Sequence, residues 1–399
     1  MRILVTNKFM YPRGGDCIVA LNTAELLRKE GHEVRLFAMD YPENLQLEDS
    51  RDYASRVSFE GSVKDKLKAF GRVMGKGDIR KSFRKVMRDF KPDVVHLHNI
   101  HSYLSPVIGE IASEMGAKVV WTLHDYKLLC PAYSCRRPDG SNCDECFNGK
   151  LSVLKNRCMK GSLAGSVIAH LEAKKWSRRK VAEFTSAFIC PSEFMGECMV
   201  KGGFEPKKIK VLTNFADPKK YSDYEPVKTP QPYFCYIGRL SEEKGVVTLL
   251  KAAKRAGIHL KIAGGGPLLE SLKKEYSGVE NIEFLGHLDS KGVAETLQNA
   301  YASVLPSEWV ENNPLGVIES LCLGTPVIGA NIGGIPELLR SDDGICRGMT
   351  FPSGDVEALT NIFCNFEADK YDREKIATEA RKVFSQETHL NKLMEIYNS

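Results

Sequence analysis

The chain has 399 residues, 43% of them hydrophobic, which is enough for a core in each of two domains. The formal net charge is +5, no segment is of low complexity, and no apolar run approaches the roughly twenty residues that span a bilayer. This composition excludes collagen-like, disordered and membrane-spanning proteins. Residues 1–9 have the pattern of a strand rather than of a signal peptide, so we expect a cytoplasmic protein with its twelve cysteines reduced.

The first half of the chain alternates strands with helices. Four apolar runs of strand length occur at 2–6, 34–37, 94–98 and 119–123. Residues 16–30 have helical periodicity, and Gly31 ends this helix. The alternation is typical of a doubly wound parallel sheet. Gly14 and Gly15 form a tight turn before the first helix, and they either only close this turn or also contact phosphate groups.

Polar side chains follow the third and fourth of these strands. His98 and Asn99 come after the third strand, and His124 and Asp125 come after the fourth. Because the carboxyl ends of parallel strands line a ligand crevice, a histidine there is suited to bind a hydroxyl group of a ligand. A capping His–Asp pair is the alternative for His124. His96 and His98 share one strand face, which leaves a metal site open, but we favour His98 beside the ligand crevice and His96 packed under the sheet.

A loop-rich insertion at about 128–160 follows directly. It contains five cysteines, namely Cys130, Cys135, Cys143, Cys146 and Cys158. Cys143 and Cys146 have the spacing of a zinc knuckle, and a tetrahedral thiolate site would stabilise an insertion that is too polar to fold alone. Five candidates for four ligand positions leave a structural zinc and free thiols equally open. We do not expect a catalytic zinc.

Positive charge is concentrated in the first half of the chain. Residues 1–213 contain 36 Lys and Arg against 25 Asp and Glu, whereas the remainder contains 20 against 26. In the stretches 62–91 and 150–180, cations alternate with apolar residues, as in a basic amphipathic helix that lies on anionic lipid. A solvated helical face is the alternative. Nucleic acid is not an expected partner, because no recognisable binding module accompanies the charge.

The stretch 214–232 is rich in Pro, Asp, Lys and Tyr and has no apolar periodicity. It predicts a linker between two domains, residues 1–213 with the cysteine-rich insertion and residues 233–399.

Strands in the second domain end in glycine turns. The strand at 233–237 runs into Gly238, and the same turn contains Arg239 and Lys244, which are suited to neutralise a diphosphate leaving group. The next two strands end at Gly264, Gly265 and Gly266 and at Leu285 and Gly286. In an open parallel sheet these turns converge on one crevice.

The run 311–319 combines a helix start with two carboxylates. Asn313 is predicted as the N-cap and Pro314 as the first helical residue. Free amides behind them, together with the positive end of the helix dipole, predict an anion site. These are the amides of Leu315, Gly316 and Val317. Glu311 precedes the helix and Glu319 lies in its second turn, where they suit sugar and ribose hydroxyls; two solvated glutamates on a capped helix are the alternative.

The order of the motifs GRLSEEKG, AGGGP, FLGHL and ENNPLGVIE resembles the retaining glycosyltransferases of family 4, and the resemblance spans nearly the whole chain. It implies the α/β fold GT-B, in which two Rossmann-like, doubly wound parallel-sheet domains face a central cleft. It also implies that the C-terminal domain holds a nucleoside diphosphate sugar and that the N-terminal domain holds a glycan or lipid-linked acceptor. The last helix is expected to pack back on the N-terminal domain, and catalysis is expected to need no metal.

The resemblance implies a role for each matching residue. Arg239 and Lys244 would bind the diphosphate, Glu319 would bind the ribose, and Glu311 and His124 would contact the donor sugar. The other expected donor-binding positions are Gly14, Gly15, Gly238, Gly265, Gly266, Leu285, Asn313, Leu315 and Gly316. The acceptor side is expected at His98, Asn99 and Asp125.

The function that follows from the resemblance is retaining sugar transfer in bacterial O-antigen, capsule or exopolysaccharide synthesis. The basic N-terminal domain leaves open a peripheral contact with the inner face of the cell membrane. Two alternatives are a nucleotide-sugar epimerase of GT-B fold and a non-catalytic sugar-nucleotide sensor. An NAD(P)-dependent Rossmann enzyme is a third, although the turn at Gly14 and Gly15 lacks the spaced third glycine of that class. The donor sugar, the base, the acceptor and the oligomeric state are left open.

Overall fold

The computed structural model of the protein describes residues 1–46, 50, 52–340 and 344–399. These residues form two compact units, which we call unit 1 (Met1–Leu212 with Leu390–Ser399) and unit 2 (Thr213–His389). Throughout the described ranges, no helix combines the length and the apolar content that crossing a membrane requires.

Unit 1 contains a parallel sheet with helices between its strands. The strands are β1 (Arg2–Thr6), β2 (Glu33–Phe37), β3 (Val94–Leu97), β4 (Lys118–Thr122), β5 (Ala187–Cys190) and β6 (Ile209–Val211). The helices are α1 (Gly15–Lys29), α2 (Val63–Val73), α3 (Ile79–Phe90), α4 (Val107–Glu114), α5 (Ser152–Lys155), α6 (Leu163–Lys175), α7 (Arg178–Phe184) and α8 (Glu193–Lys201). The strands lie in the order β2-β1-β3-β4-β5-β6, and each described pairing is parallel.

Burial explains why these strands appear in the sequence as apolar runs. All residues of β3 and β5 are buried, as expected for strands in a sheet with both faces covered. The strand order reverses between β1 and β3, because the chain continues from β1 to one side and from β3 to the other. The loops that follow β1 and β3 therefore border the crevice in which sheets of this kind bind ligands.

Unit 2 repeats the architecture. Its strands are β7 (Gln231–Ile237), β8 (His259–Ala263), β9 (Ile282–Gly286), β10 (Ala300–Leu305), β11 (Val327–Ala330) and β12 (Gly348–Phe351). The helices that follow are α9 (Val246–Ala256), α10 (Leu269–Glu275), α11 (Ser290–Asn299), α12 (Leu315–Cys322), α13 (Ile335–Leu338), α14 (Val356–Cys364), α15 (Arg373–Val383) and α16 (Gln386–Asn398). The part of α16 from Leu390 onward groups with unit 1.

The second sheet has the order β12-β11-β10-β7-β8-β9 and is also parallel throughout its described pairings. The order reverses between β7 and β10. Phe234 of β7 packs on Phe363 of α14 with ring centroids 4.8 Å apart, so the strand that leads into the crevice rests on a rigid core. The loops 238–245 and 306–314, which follow β7 and β10, meet at this reversal.

The predicted α/β class with two doubly wound parallel sheets is confirmed. The four strands predicted in the first half are β1 to β4, and their ends agree within one residue. The stretch 214–232, predicted as a linker, groups with unit 2 instead. Within it, the Ala216 N–H donates to Phe384 O at 3.0 Å, and Tyr221 is buried in the core. A few widely spaced apolar side chains are enough to anchor such a segment, and periodicity does not detect them.

The basic stretch 62–91 places most of its apolar side chains in the core. Phe83 is fully buried, and Val86 and Met87 are each 3% exposed. Leu67 of α2 is an exception and is 64% exposed. In α3 the cations thus surround a face that packs inward, as on an ordinary surface helix. Within this stretch, the predicted membrane contact would therefore have to be made by α2, where Leu67 is exposed, and not by the buried apolar face of α3.

Candidate functional site

Two predicted catalytic residues meet where the strand order of unit 2 reverses. Lys244 lies in the loop after β7 and Glu311 lies in the loop after β10. The Lys244 Nζ atom is 2.7 Å from Glu311 Oε1, and the Ser307 hydroxyl donates to the same oxygen at 2.7 Å. Glu311 is only 7% exposed, and donors of this kind stabilise a buried carboxylate. The second carboxylate oxygen has lone pairs for a ligand hydroxyl.

Further contacts hold Lys244 in place. Its Nζ atom lies 4.8 Å from the centre of the Trp309 ring, which is a cation–π distance. The Thr248 hydroxyl donates to Glu308 Oε1 at 2.7 Å, and the Glu308 N–H donates to Glu243 O at 2.9 Å. These bonds tie the loop after β10 to α9 and to the loop after β7. Sequence reasoning missed these partners, because only the strand order makes the two loops neighbours.

Two glycines let the backbone pass close to this pair. Gly245 has φ +68°, and a Cβ at this position would lie 1.8 Å from Pro306 O. Gly333 has φ +60°, and its Cβ would lie 2.1 Å from Glu311 O. Both the left-handed backbone conformation and the close approach require glycine. Because Gly245 and Gly333 have no Cβ, the backbone can approach Pro306 and Glu311 closely enough to hold Lys244 and Glu311 at this distance.

The glycine turns after β7, β8 and β9 are bonded to one another. The N–H groups of Gly238, Leu240 and Gly264 donate to the carbonyls of Ala263 (3.0 Å), Gly265 (2.9 Å) and Gly286 (2.7 Å), respectively. The predicted donor-binding positions in or beside these turns are Gly238, Gly265, Gly266 and Leu285. Arg239 lies in the first turn and is exposed, so its guanidinium is accessible to a ligand.

The start of α12 differs from the predicted capping. The helix begins at Leu315, with Pro314 in extended conformation at the N-cap position (φ −70°, ψ 119°). The Asn313 side-chain oxygen accepts the N–H of Asn214 at 3.0 Å, and it does not cap the helix. The prediction of Asn313 as N-cap and of Pro314 as the first helical residue is wrong. The side-chain oxygen of Asn313 instead accepts a hydrogen bond from Asn214, which lies 99 residues away in sequence.

The predicted anion site at this helix start is smaller than expected. The Val317 N–H donates to Pro314 O at 3.1 Å, so the prediction of a free amide at Val317 is wrong. Leu315 and Gly316 remain as the predicted anion contacts. A Cβ added at Gly316 would meet no atom within 4 Å, and open space of this kind suits a close approach by a ligand.

Glu319 has a partner that the sequence did not indicate. It lies in the second turn of α12, as predicted, and its Oε1 accepts a hydrogen bond from Lys220 Nζ. Both side chains are partly accessible, with 16% exposed for Glu319 and 31% for Lys220. Lys220 belongs to the stretch that was predicted as a linker, 99 residues away in sequence, and no local pattern connects the two residues.

In unit 1, two predicted site histidines meet at the carboxyl ends of β3 and β4. The Nδ1 atom of His98 is 2.9 Å from Nε2 of His124, and the ring planes are 18° apart. Burial lowers the pKa of His124 to about 4; the Asp16 carboxylate opposes this shift and the Lys8 cation adds to it. His124 is therefore uncharged at neutral pH.

Asn99 lies between two carboxyl groups. Its Nδ2 atom donates to Asp16 Oδ2 at 3.0 Å and is 3.5 Å from Asp125 Oδ2, and Lys8 forms an ion pair with Asp16 at 3.2 Å. Burial raises the pKa of Asp16, but the charge of Lys8, the field of His124 and the hydrogen bonds from Lys8 and Asn99 together lower it. Burial raises the pKa of Asp125. The structure thus brings His98, Asn99, His124 and Asp125 together, and adds Lys8 and Asp16, which sequence reasoning missed.

The lowered pKa of His124 makes stability depend on pH. Because His124 is neutral in the folded state and the unfolded chain protonates near pH 6.5, this group destabilises the protein as the pH falls from 6.5 towards 4. We expect His124→Asn to lose less stability than the wild type over this range. Urea unfolding at pH 7.5, 6.0 and 5.0 measures the free energy of unfolding of both proteins. If both lose the same amount between pH 7.5 and 5.0, the pKa of His124 is not lowered in the folded state.

The turn at Gly14 and Gly15 opens onto α1 as predicted. Gly14 is in extended conformation at the N-cap position, and a Cβ added at Gly15 would meet no atom within 4 Å. Contact between this turn and phosphate groups stays a prediction.

The cysteines of the insertion differ in burial. Cys130, Cys135 and Cys146 are buried, whereas Cys143 and Cys158 are half-buried. Hydrogen bonds from the Cys135 thiol and from nearby backbone N–H groups outweigh burial and lower the pKa of the Cys130 thiol. Across the residues that the structure describes, no group of three or more His, Cys, Asp or Glu is arranged to hold a metal ion. The structural zinc stays a prediction, and the zinc content per chain tests it.

Comparison with known proteins gives relatives along the whole chain. A Klebsiella pneumoniae protein described as an uncharacterized 42.6 kDa protein in the cps region is 25% identical over all of both chains. WcaL of Salmonella typhimurium, whose name assigns it to colanic acid biosynthesis, is 28% identical over 46% of this chain and 48% of its own. Anabaena HepE, solved with UDP and glucose, has a TM-score of 0.67 at 16% identity and covers 99% of this chain and 98% of its own.

Two family profiles cover the sequence. The profile of Glycosyltransferase Family 4 matches residues 13–220, which is more than half of the chain, and that of Glycosyl transferases group 1 matches residues 219–383. The two six-stranded parallel sheets and the likeness to solved structures whose titles name glycosyltransferases agree with these matches. The chain therefore has the GT-B fold and belongs to glycosyltransferase family 4.

Proposed function

We propose that the protein transfers a sugar from a nucleoside diphosphate sugar to a hydroxyl group of a glycan or lipid-linked acceptor, with retention of anomeric configuration. The observation that carries this proposal is the Lys244–Glu311 pair in unit 2, which combines a cation and a carboxylate 2.7 Å apart. A donor of this class presents a diphosphate beside sugar hydroxyls and needs both groups. The UDP in the HepE structure supports a nucleoside diphosphate as the ligand.

In the proposed reaction, the bond between the anomeric carbon and the diphosphate oxygen breaks as the acceptor hydroxyl oxygen bonds to the anomeric carbon from the same face. The hydroxyl proton passes to the departing diphosphate oxygen, and the nucleoside diphosphate is released. Arg239 and Lys244 stabilise the negative charge that develops on the diphosphate, and the amides of Leu315 and Gly316 support them. With two cations in this role, catalysis needs no divalent metal. Glu311 accepts hydrogen bonds from the donor sugar.

We assign His124 of unit 1 to the donor sugar and its neighbours His98, Asn99 and Asp125 to the acceptor side. A sugar hydroxyl can donate or accept a hydrogen bond, so it can pair with the ring nitrogen of His124 that does not face His98. The relatives from the cps region and from colanic acid biosynthesis support a place in bacterial surface polysaccharide synthesis. A cytoplasmic location with a peripheral membrane contact belongs to the same proposal.

The first experiment is a thermal-shift panel of uridine, guanosine and adenosine diphosphates, their sugars, and NAD(P). We expect one nucleoside diphosphate family to raise Tm, because a ligand that binds only the folded state stabilises it by mass action. Sugar transfer is then assayed with that donor. A shift with NAD(P) alone would overturn the proposal, and conversion of the donor to its epimer without an acceptor would favour the epimerase.

The role of Glu319 is tested with the nucleotide that the panel selects. We expect Glu319→Gln to raise the Kd for this nucleotide about 10-fold or more, because a charged acceptor for the ribose hydroxyls is lost. Glu270→Gln, an exposed glutamate of α10, is the matched control and should bind like the wild type. Isothermal calorimetry measures both, and an unchanged Kd in Glu319→Gln would remove Glu319 from the site.

A further inference from the structure

A series of aromatic side chains in unit 1 begins at the last turn of α16. The Tyr397 hydroxyl is 2.7 Å from Nδ1 of His96, and Nε2 of His96 is 2.7 Å from the Thr122 hydroxyl. Both ring nitrogens of His96 are thus engaged, which fixes the orientation of its ring. His96 and Tyr397 are each 2% exposed, so these hydrogen bonds are shielded from exchange with water.

His98 lies directly against this fixed ring. The centroids of His96 and His98 are 4.3 Å apart, and His98 is only 1% exposed. The Trp121 indole N–H donates to His98 O at 2.9 Å and holds the backbone. From this position, Nδ1 of His98 reaches Nε2 of His124 at 2.9 Å. The position of His98 is therefore more tightly constrained than that of His124.

We propose that His98 is the positioning residue of His124, and that its Nδ1 atom fixes both the orientation of the His124 ring and the nitrogen that carries the proton. An N···N contact between two imidazole rings holds a single proton, so one ring donates and the other accepts. Once Nε2 of His124 is committed to this contact, its Nδ1 has a single role, either donor or acceptor. A hydrogen-bond partner on one ring nitrogen fixes which nitrogen the histidine presents to a ligand.

The inference rests on the proposed contact of His124 with the sugar, but its first test needs no substrate. The chain has nine histidines, and selective ¹⁵N labelling resolves their ring nitrogens by long-range ¹H–¹⁵N correlation. In the wild type at pH 7.5 we expect one protonated and one bare nitrogen in His124. A spectrum in which His124 averages between two tautomers would overturn the proposal before any variant is made.

Two substitutions of His98 separate the hydrogen bond from ring packing. His98→Phe keeps a ring against His96 and removes Nδ1, so we expect His124 to show averaged tautomers. His98→Asn places an amide near the former Nδ1 position and should restore a single tautomer. His170, whose Nδ1 is 3.0 Å from Lys150 O in another part of unit 1, serves as the internal control and should keep its signals in both variants.

Kinetics give the second readout, with the sugar nucleotide that produces the largest thermal shift. We expect His98→Phe to lower kcat about 10- to 100-fold with little change in the KM of the donor, and His98→Asn to recover most of this loss. Unaltered His124 signals or an unaltered kcat in folded His98→Phe would overturn the inference.

If His98→Phe does not fold, Tyr397→Phe tests the same series of contacts one step earlier. Broadened His124 signals in Tyr397→Phe support the proposal, and unchanged signals contradict it. Failure of nucleotide binding in the thermal-shift panel would instead count against the proposed function.

Discussion

Replacement of Lys244 by alanine is expected to lower kcat/KM for sugar transfer by about two to three orders of magnitude, the usual effect of removing one preorganised group that stabilises developing negative charge. The substitution also leaves the Glu311 carboxylate, which is 7% exposed, without its cation. The Ser307 hydroxyl still donates to Oε1. The loss of the Lys244 charge and the loss of the cation beside Glu311 both occur where the diphosphate is proposed to leave. Initial rates of nucleoside diphosphate release measure the effect.

The control for this experiment is Lys251→Ala, which removes an exposed lysine of α9 a few residues away. We expect it to transfer sugar at the wild-type rate. Lys244→Arg retains a positive charge and should fall between the two, because a guanidinium does not reproduce the geometry of an ammonium group. Activity within a few-fold of wild type in Lys244→Ala would remove this residue from the reaction and with it the main support for the proposed donor site.

Replacement of Gly245 by alanine is expected to destabilise unit 2 and to abolish transfer. Its φ of +68° is unfavourable for alanine, and the added Cβ would lie 1.8 Å from Pro306 O. Since Gly245 follows Lys244 and Pro306 begins the loop that contains Glu311, relief of this clash must separate the two catalytic side chains. We expect a loss of about 3–4 kcal/mol in unfolding free energy, with about 1 from the backbone conformation and the remainder from overpacking.

Gly257 provides a closely matched control at the other end of α9. Its backbone conformation is nearly the same, with φ 67° and ψ 21° against φ 68° and ψ 19° for Gly245, but a Cβ there would meet no atom within 4 Å. Gly257→Ala should therefore lose only about 1 kcal/mol, or about 2–4 °C in Tm, and keep its activity. Thermal unfolding and initial rates compare the two variants. Equal destabilisation would show that the contact with Pro306 does not matter.

The strands and turns were predictable because their signals are local. The runs that became β1 to β4 are predominantly apolar, as expected for parallel strands that are largely buried. The glycine turns were predictable for a related reason. A chain that leaves a strand at the edge of a ligand crevice needs backbone conformations and close approaches that only glycine permits, and Gly245 shows this directly.

Errors occurred where a polar side chain had more than one available partner. Asn313 has the composition of an N-cap, but its oxygen binds the N–H of Asn214. Lys220 pairs with Glu319, a partner 99 residues away that no local pattern indicated. The fold decides which hydrogen-bond partner such a side chain reaches, and local sequence does not show which partner that is.

The sequence by itself determined the α/β class, the two-sheet organisation and the identity of Lys244, Glu311, Glu319 and His124 as candidate residues, because periodicity, glycine turns and strand ends are encoded within short segments. Only the tertiary structure decided their partners. Lys244 and Glu311 are 67 residues apart and become neighbours because the order of the second sheet reverses between β7 and β10. His98 and His124 meet because β3 and β4 are adjacent, and Tyr397 joins them from the opposite end of the chain. Contacts of this kind depend on strand order and packing, which no local pattern specifies.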